Sequence, residues 1–252
     1  MNYPLSQIPA RTEKPRTTGI TMVMDKGLGL RETADLAEIG TDYIDFVKLG
    51  FGTALLTNKL EEKLAIYRQN NITPYFGGTL FEAFVARNDF NGYRSFVNKY
   101  KLSHVEVSDG SLKMKSDIKL GYIETLAKEF TVLSEVGSKK ADIVYSLEEW
   151  AEMMRNELQA GSFMVIAEAR ESGNTGIYNT DGSANKALIN GIINEIDINK
   201  ILWEAPLKAQ QTMFIKLLGS NVSLGNIAAN EVLSLETLRR GLRGDTFSDF
   251  LI

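Results

Sequence analysis

The sequence predicts an α/β fold, a (β/α)8 barrel, from three observations: a length of 252 residues, eight short apolar runs rich in β-branched residues, and helical apolar spacing between those runs. A single eight-unit barrel needs about 250 residues. Strand and helix alternate about every 20 to 40 residues, as in successive βαβ units wound in one direction on a parallel sheet. The alternative is an open doubly wound sheet, which would usually have fewer strands.

The runs follow one another as GITMVMD from Gly19, YIDFVKLG from Tyr43, ITPYFGG from Ile72 and HVEVSDG from His104. They continue as FTVLSEVG from Phe130, FMVIAEA from Phe163, KILWEAP from Lys200 and NVSLGN from Asn221. Between them, Leu56, Leu60, Leu64 and Tyr67 recur at helical spacing, as do Leu147, Trp150, Met154 and Leu158. Ser146 with Glu149 three residues on makes a capping box for the second of these helices. Pro206 suits the first turn of a helix through LKAQQTMFIKLLG. No linker or low-complexity tract divides the chain, so residues 1–252 read as one domain. Residues 1–17, with Pro4, Pro9 and Pro15, read as an extended arm covering one end of the barrel. Residues 234–252 read as a further helix and a tail carrying Phe247, Phe250, Leu251 and Ile252, a docking or subunit-contact element that predicts a homo-oligomer.

Acidic residues number 32 against 28 basic ones, a formal charge of -4, so no global positive field draws in nucleic acid or an anionic membrane surface. The absence of cysteine excludes a disulfide framework, a thiolate metal site and a cysteine nucleophile. The N-terminus lacks an apolar signal core and no apolar run approaches the roughly 18 residues of a membrane span, so a cytoplasmic protein is expected.

Active sites of parallel barrels form at the C-terminal ends of the strands. There the runs turn polar: Asp25 and Lys26; Asp45 and Lys48; Gly77 to Thr79; Glu106, Ser108 and Asp109; Ser134, Glu135, Lys139 and Lys140. The later strands end in Glu168, Arg170, Glu171 and Ser172, in Glu204, and in LGNIAANE. A single charge just past a strand is ordinarily solvated or ion-paired. Asp45, Lys48, Glu106, Glu168 and Glu204 lie within the strands, however, and directed into a barrel mouth they would need pairing with one another or with a metal and an anionic ligand. The only histidine, His104, opens its strand at the far end and reads as structural, which leaves acid and base work to Lys, Glu, Asp or Tyr. Carboxylates without His or Cys favour Mg²⁺ over Zn²⁺, and clustered Lys and Arg suit anions. Gly225, Asn226, Arg243 and Gly244 fall where barrels often hold a phosphate. No Walker motif, dinucleotide fingerprint or HExxH occurs.

The ordered blocks KPRTTGITMVMDKG, DYIDFVKLGFGT, YFGGTLFE, VEVSDGS, EVGSK, EARESGNTGIY, WEAPLKAQQ, LGNI and LETLRRGLRGDT together resemble the phosphosulfolactate synthase family over essentially the whole chain. The resemblance implies a TIM barrel and a Mg²⁺-dependent lyase that adds sulfite to phosphoenolpyruvate. The product would be (2R)-2-phospho-3-sulfolactate, formed through an enediolate-type intermediate protonated at C2, for coenzyme M, sulfolactate or sulfonolipid routes. It implies Glu168 with Glu106 or Asp25 as metal ligands, and Lys26, Lys48 and Arg170 as catalytic or anion contacts. Ser172, Gly225, Asn226 and Arg243 join them on the substrate, and Lys139, with Lys140 as its competitor, gives C2 its proton. A phosphosugar aldolase or isomerase with a Schiff-base lysine is the rival enzymatic reading, and a non-catalytic anion- or protein-binding barrel the third.

Overall fold

Eight strands carry the framework: β1 Thr21–Asp25, β2 Phe46–Leu49, β3 Thr73–Phe76, β4 His104–Val107, β5 Thr131–Val136, β6 Ser162–Ala167, β7 Ile201–Glu204 and β8 Leu224–Ala228. The helices are α1 Leu30–Gly40, α2 Leu60–Gln69, α3 Gly78–Val85, α4 Phe90–Lys99, α5 Ser116–Leu126, α6 Leu147–Gln159, α7 Lys186–Glu195, α8 Lys208–Leu218 and α9 Val232–Arg239. The computed structural model describes residues 2–137, 145–169, 172–174 and 176–251. The strands are parallel in the order β3-β2-β1-β8-β7-β6-β5-β4, a nearly closed (β/α)8 barrel in which no ladder joins β3 to β4.

Side chains alternate along each strand with period two. Ile20, Met22, Phe46, Tyr75, Leu133, Met164, Ile166 and Leu202 point inward and fill the barrel. Their neighbours Val23, Val47, Phe76, Val105, Val132, Val165, Ile201 and Trp203 face the helices. Both faces are dry, which is why the strands read as near-continuous apolar runs. The capping box at Ser146 and Glu149 is present, and α6 buries Trp150 and Met154. Leu56 does not belong to α2: Lys59 takes a left-handed conformation at φ 57° just before the helix, and Leu56 is 86% exposed. Pro206 stands two residues before α8 rather than in its first turn.

The N-terminal arm lies across the N-terminal end of the barrel. Lys14 Nζ donates to the carbonyls of Thr41, Ile44 and Asn71 at 2.9, 2.6 and 2.7 Å. Arg16 pairs with Asp45 at 3.0 Å, and Asp45 also accepts the Thr21 N–H. Asp45 is therefore placed away from the mouth, because it precedes β2 rather than ending it. Arg11 reaches Glu236, Asn221 and two carbonyls. Buried Arg239, at the end of α9, donates to the carbonyls of Ser220 and Val222 at 2.8 and 2.6 Å. Burial and the neighbouring Arg11 push its pKa down to about 9. In the tail, Phe250 packs over Gly241, while Phe247 and Leu251 are exposed. No helix among the described residues is long and apolar enough to cross a membrane.

Candidate active site

The alternation that fills the barrel also builds its mouth. Two residues beyond an inward apolar or aromatic side chain comes an inward charge: Lys48 after Phe46, Glu106 after His104, Glu135 after Leu133, Glu168 after Ile166 and Glu204 after Leu202. These five line a cavity of about 430 Å³ at the C-terminal ends of the strands, together with Met24, Gly77, Gly78, Thr79, Ser172 and Asn226 among others. That volume lies within the roughly 300–1,000 Å³ of small-molecule sites.

Lys48 is the centre of the arrangement. Its Nζ stands 3.0 Å from Glu204, 3.3 Å from Glu106 and 3.8 Å from Glu135, all four side chains being buried. Burial alone would lower the ammonium pKa; the surrounding carboxylates, Glu106 and Glu204 foremost, overcome it and hold the pKa well above its ordinary value. Burial raises Glu106 and Glu204 against the pull of Lys48, and the neighbouring Glu135 raises them further. Each is held by backbone as well: Glu106 accepts the Gly78 N–H at 2.6 Å and the Tyr75 hydroxyl at 3.1 Å, and Glu204 accepts the Ala169 N–H at 3.0 Å. Glu106 thereby stitches β4 to β3 and α3 across the one seam of the barrel without a ladder. Gly78 is required at that seam, since a Cβ there would stand 2.4 Å from Ser108 Cβ. Asn226 turns its side chain to the mouth through a bulge: Thr21 pairs with Leu224 but Val23 with Ile227, and Asn226 takes φ 57°.

The sequence-derived candidates divide. Lys48, Glu106, Glu168, Ser172 and Asn226 meet at the cavity. Gly225 lies beneath it, against Met22 and Leu202. Lys26 is exposed at the end of β1 and outside the lining. Asp25 faces the helical layer instead: its carboxylate takes the N–H groups of Gly27 and Leu28, the Tyr67 hydroxyl, and Lys63 at 2.7 Å. As the last residue of β1 it sits out of phase with inward Met22 and Met24, so it anchors the first loop and lies outside the cavity lining. Arg243 is likewise displaced from the expected phosphate site. It follows α9, whose end is tied to the N-terminal side of β8, and it pairs with Asp245 on the outer layer at 3.3 Å. Lys139, Lys140, Arg170 and Glu171 lie outside the described residues. Glu82 and Tyr75 were not among the sequence candidates for the site, and Ser108 was named there only as a polar residue at the end of its strand. Glu82 is one turn into α3, where nothing in helical spacing marks it; Tyr75 and the strand-end Ser108 look like ordinary core and loop residues until the third dimension is known.

The donor set suits a hard divalent cation. Four buried carboxylates against one ammonium give the described mouth a surplus of negative charge. Among the described residues no three are clustered tightly enough to form a ready-made metal site. A Mg²⁺ ion at this mouth would take one or two of the carboxylates and keep waters or substrate oxygens for the rest of its shell.

Known proteins resemble this chain in sequence and in fold. The pattern that defines the family (2R)-phospho-3-sulfolactate synthase (ComA) matches residues 9–245. The chain is 44% identical over 244 residues to the phosphosulfolactate synthase of Bacillus subtilis (strain 168), covering 96% of this chain and 97% of that one. It is 42% identical to the phosphosulfolactate synthase of Methanothermobacter thermautotrophicus, covering 94% and 95%. Among solved structures, the YdjI aldolase from Escherichia coli K12 superposes with a TM-score of 0.56 at 10% identity, over 92% of this chain and 90% of that chain. A 3-hexulose-6-phosphate synthase superposes at 0.53 with 13% identity, over 87% and 98%. At such identities these two share the fold alone.

Proposed function

The chain belongs to the phosphosulfolactate synthase family, and from that premise we propose that it adds sulfite to C3 of phosphoenolpyruvate, giving (2R)-2-phospho-3-sulfolactate. It is an enzyme of the lyase type. The observation that carries the finer reading is the glutamate-lined cavity around Lys48 at the C-terminal ends of the strands.

The reaction brings a phosphate, a carboxylate and a sulfonate together, and as the C–S bond forms negative charge moves onto C2 and the carboxylate. Positive charge fixed in a dry cavity is worth most at that moment. Lys48 supplies one such charge, kept protonated by Glu106 and Glu204 and aimed by them. Its ammonium is a poor Schiff-base nucleophile, which weighs against the aldolase reading at this lysine. Glu168 would hold Mg²⁺ at the cavity wall, the Glu106 oxygens being occupied by Gly78, Tyr75 and Lys48. When bound, the ion offsets the charge that develops on the substrate carboxylate. Asn226 and Ser172 offer neutral polar contacts to the anions, and the resemblance adds Lys26, Arg170 and Lys139 to the cationic side.

Incubation of the purified protein with phosphoenolpyruvate, sulfite and Mg²⁺, followed by mass spectrometry, tests the reading. A product at the mass of phosphosulfolactate is expected, dependent on all three components and abolished by chelator. Trapping of a phosphosugar on a lysine by borohydride, with no product from phosphoenolpyruvate and sulfite, would replace it with the aldolase reading.

A further inference from the structure

Seven described non-glycine residues take a positive φ, and six of them are asparagine, glutamine or lysine. The seventh is Phe51, at φ 55° and 54% exposed. A bulky side chain in the left-handed region is an outlier, and such residues persist where the surrounding structure fixes them, most often at sites of function. Gly52 follows in the same region at φ 69°, and the Thr53 N–H closes on the Gly50 carbonyl at 3.0 Å, so residues 50–53 form a turn with two left-handed central residues. Asn, Asp or Gly ordinarily fills the first of those positions.

The turn is fixed at its base. Gly50 donates to the Asp25 carbonyl at 3.0 Å, the Thr53 hydroxyl holds the Gly50 carbonyl at 2.8 Å, and a Cβ on Gly50 would stand 2.4 Å from Met24 Sδ. Phe51 therefore cannot leave the left-handed region without breaking this anchorage. Its ring does not serve the apolar interior. Among the described residues it meets no other aromatic ring, whereas Phe46 on the same strand packs against Tyr75 and His104.

What the residue does border is the cavity, of whose described lining it is the one aromatic member. Carboxylates, hydroxyls, glycines, Lys48 and Asn226 make up most of that wall, so Met24, Gly50 and Phe51 form an apolar corner in a polar site. Phosphoenolpyruvate has the matching shape: two anionic groups and one apolar methylene. We propose that Phe51 is a substrate-contact residue, its ring packing on one face of the C3 methylene of bound phosphoenolpyruvate and leaving the other face to sulfite. Covering the ligand also removes water from beside the Lys48 ammonium, which strengthens its hold on the anion. The identity of the ligand rests on the sulfite-addition reading.

Fluorine NMR of protein labelled with 4-fluorophenylalanine reads the ring directly, the Phe51 signal being the one missing from Phe51→Leu. With Mg²⁺ and phosphoenolpyruvate that signal is expected to move and to lose its H₂O/D₂O isotope shift. Glycine suits the left-handed position better, so Phe51→Gly should raise the urea midpoint. Its Kd for phosphoenolpyruvate, measured by calorimetry with Mg²⁺, should weaken roughly 10- to 100-fold, and that of Phe51→Leu by less. A ring that served the fold would do the reverse, and a lower midpoint with Kd unchanged overturns the proposal. A Phe51 signal unmoved at saturating phosphoenolpyruvate overturns it too, as does a Phe51→Gly variant that keeps its Kd and changes its mass in light scattering, which makes the ring a subunit contact. In those cases wild-type binding and turnover leave the reaction reading standing. If the wild type binds no phosphoenolpyruvate, the reaction reading falls, and the role of Phe51 falls with it.

Discussion

Among the described residues the two ends of the barrel hold opposite surpluses of charge and dispose of them differently. At the N-terminal end Arg11, Lys14, Arg16 and Arg239 outnumber Asp45 and Glu236, and backbone carbonyls make up the difference: three for Lys14, and those of Ser220 and Val222 for Arg239. At the C-terminal end Glu106, Glu135, Glu168 and Glu204 surround Lys48 beside an open cavity. Carbonyl dipoles are fixed and fully spent on the cations they meet, so the lower end is a clasp. The upper carboxylates gather around Lys48 and face room for a ligand, so the site keeps a capacity for a proton or a cation. Charge density alone does not separate a site from a clasp; the kind of partner does.

Removing the charge on which each end depends should give unlike results. Lys48→Met leaves buried carboxylates without their cation, a loss of about 3–5 kcal/mol, and should cut kcat/KM by roughly 10²–10³. Denaturant unfolding should show part of that stability returning on addition of Mg²⁺. Near-native turnover in this variant would remove Lys48 from the chemistry. Lys14→Met should cost stability alone, about 1.5–3 kcal/mol for charged hydrogen bonds to carbonyls, with kcat and KM of the folded enzyme unchanged. A kinetic defect there would join the two ends functionally and break the contrast.

A smaller effect separates the ends by pH. His104 opens β4 with its ring 5.2 Å from Phe46, and burial pushes its pKa down to about 4 from 6.5. The unfolded chain therefore binds a proton on this residue as pH falls below 6.5, while the folded chain binds it only near 4. Stability lost over that window should reach about 2 kcal/mol by the middle of the acid range. Glu106 and Glu204, with raised pKa values, act in the other direction, so the measurement is the difference between wild type and His104→Phe. Urea unfolding at neutral and acid pH should show the variant gaining on the wild type as pH falls. Equal slopes would mean that the folded imidazole is solvated and protonates normally.

The barrel was legible because both faces of its strands are dry, which leaves eight apolar runs in the sequence with nothing polar to blur them. The mouth was legible where period two continues past the apolar core, as from Phe46 to Lys48 and from Leu202 to Glu204. It was not legible where a residue of the same type falls out of phase: Asp25 ends its strand as Glu204 does, but points at Lys63 and Tyr67 in the helical layer. Glu82 escaped notice, and Ser108 was named only as a strand-end residue, because their meaning lies in a contact between α3 and the end of β4, which no local pattern encodes.

Arg243 gives the mildest and cleanest test of that lesson. On sequence it sits in GLRGDT, after the last strand, where a barrel can bind phosphate on cations and backbone N–H groups. In space α9 intervenes and carries the chain back to the N-terminal side, where Arg239 is locked to the Ser220 and Val222 carbonyls. Arg243 then meets Asp245, which Lys208 also holds at 2.8 Å, so the carboxylate keeps a cation when the arginine is removed. Arg243→Ala should therefore leave KM for phosphoenolpyruvate and kcat unchanged and barely move the unfolding midpoint, since exposed ion pairs contribute little. A rise in KM confined to phosphoenolpyruvate would place the phosphate at this end after all, and with it the division between a clasp below and a site above would fail.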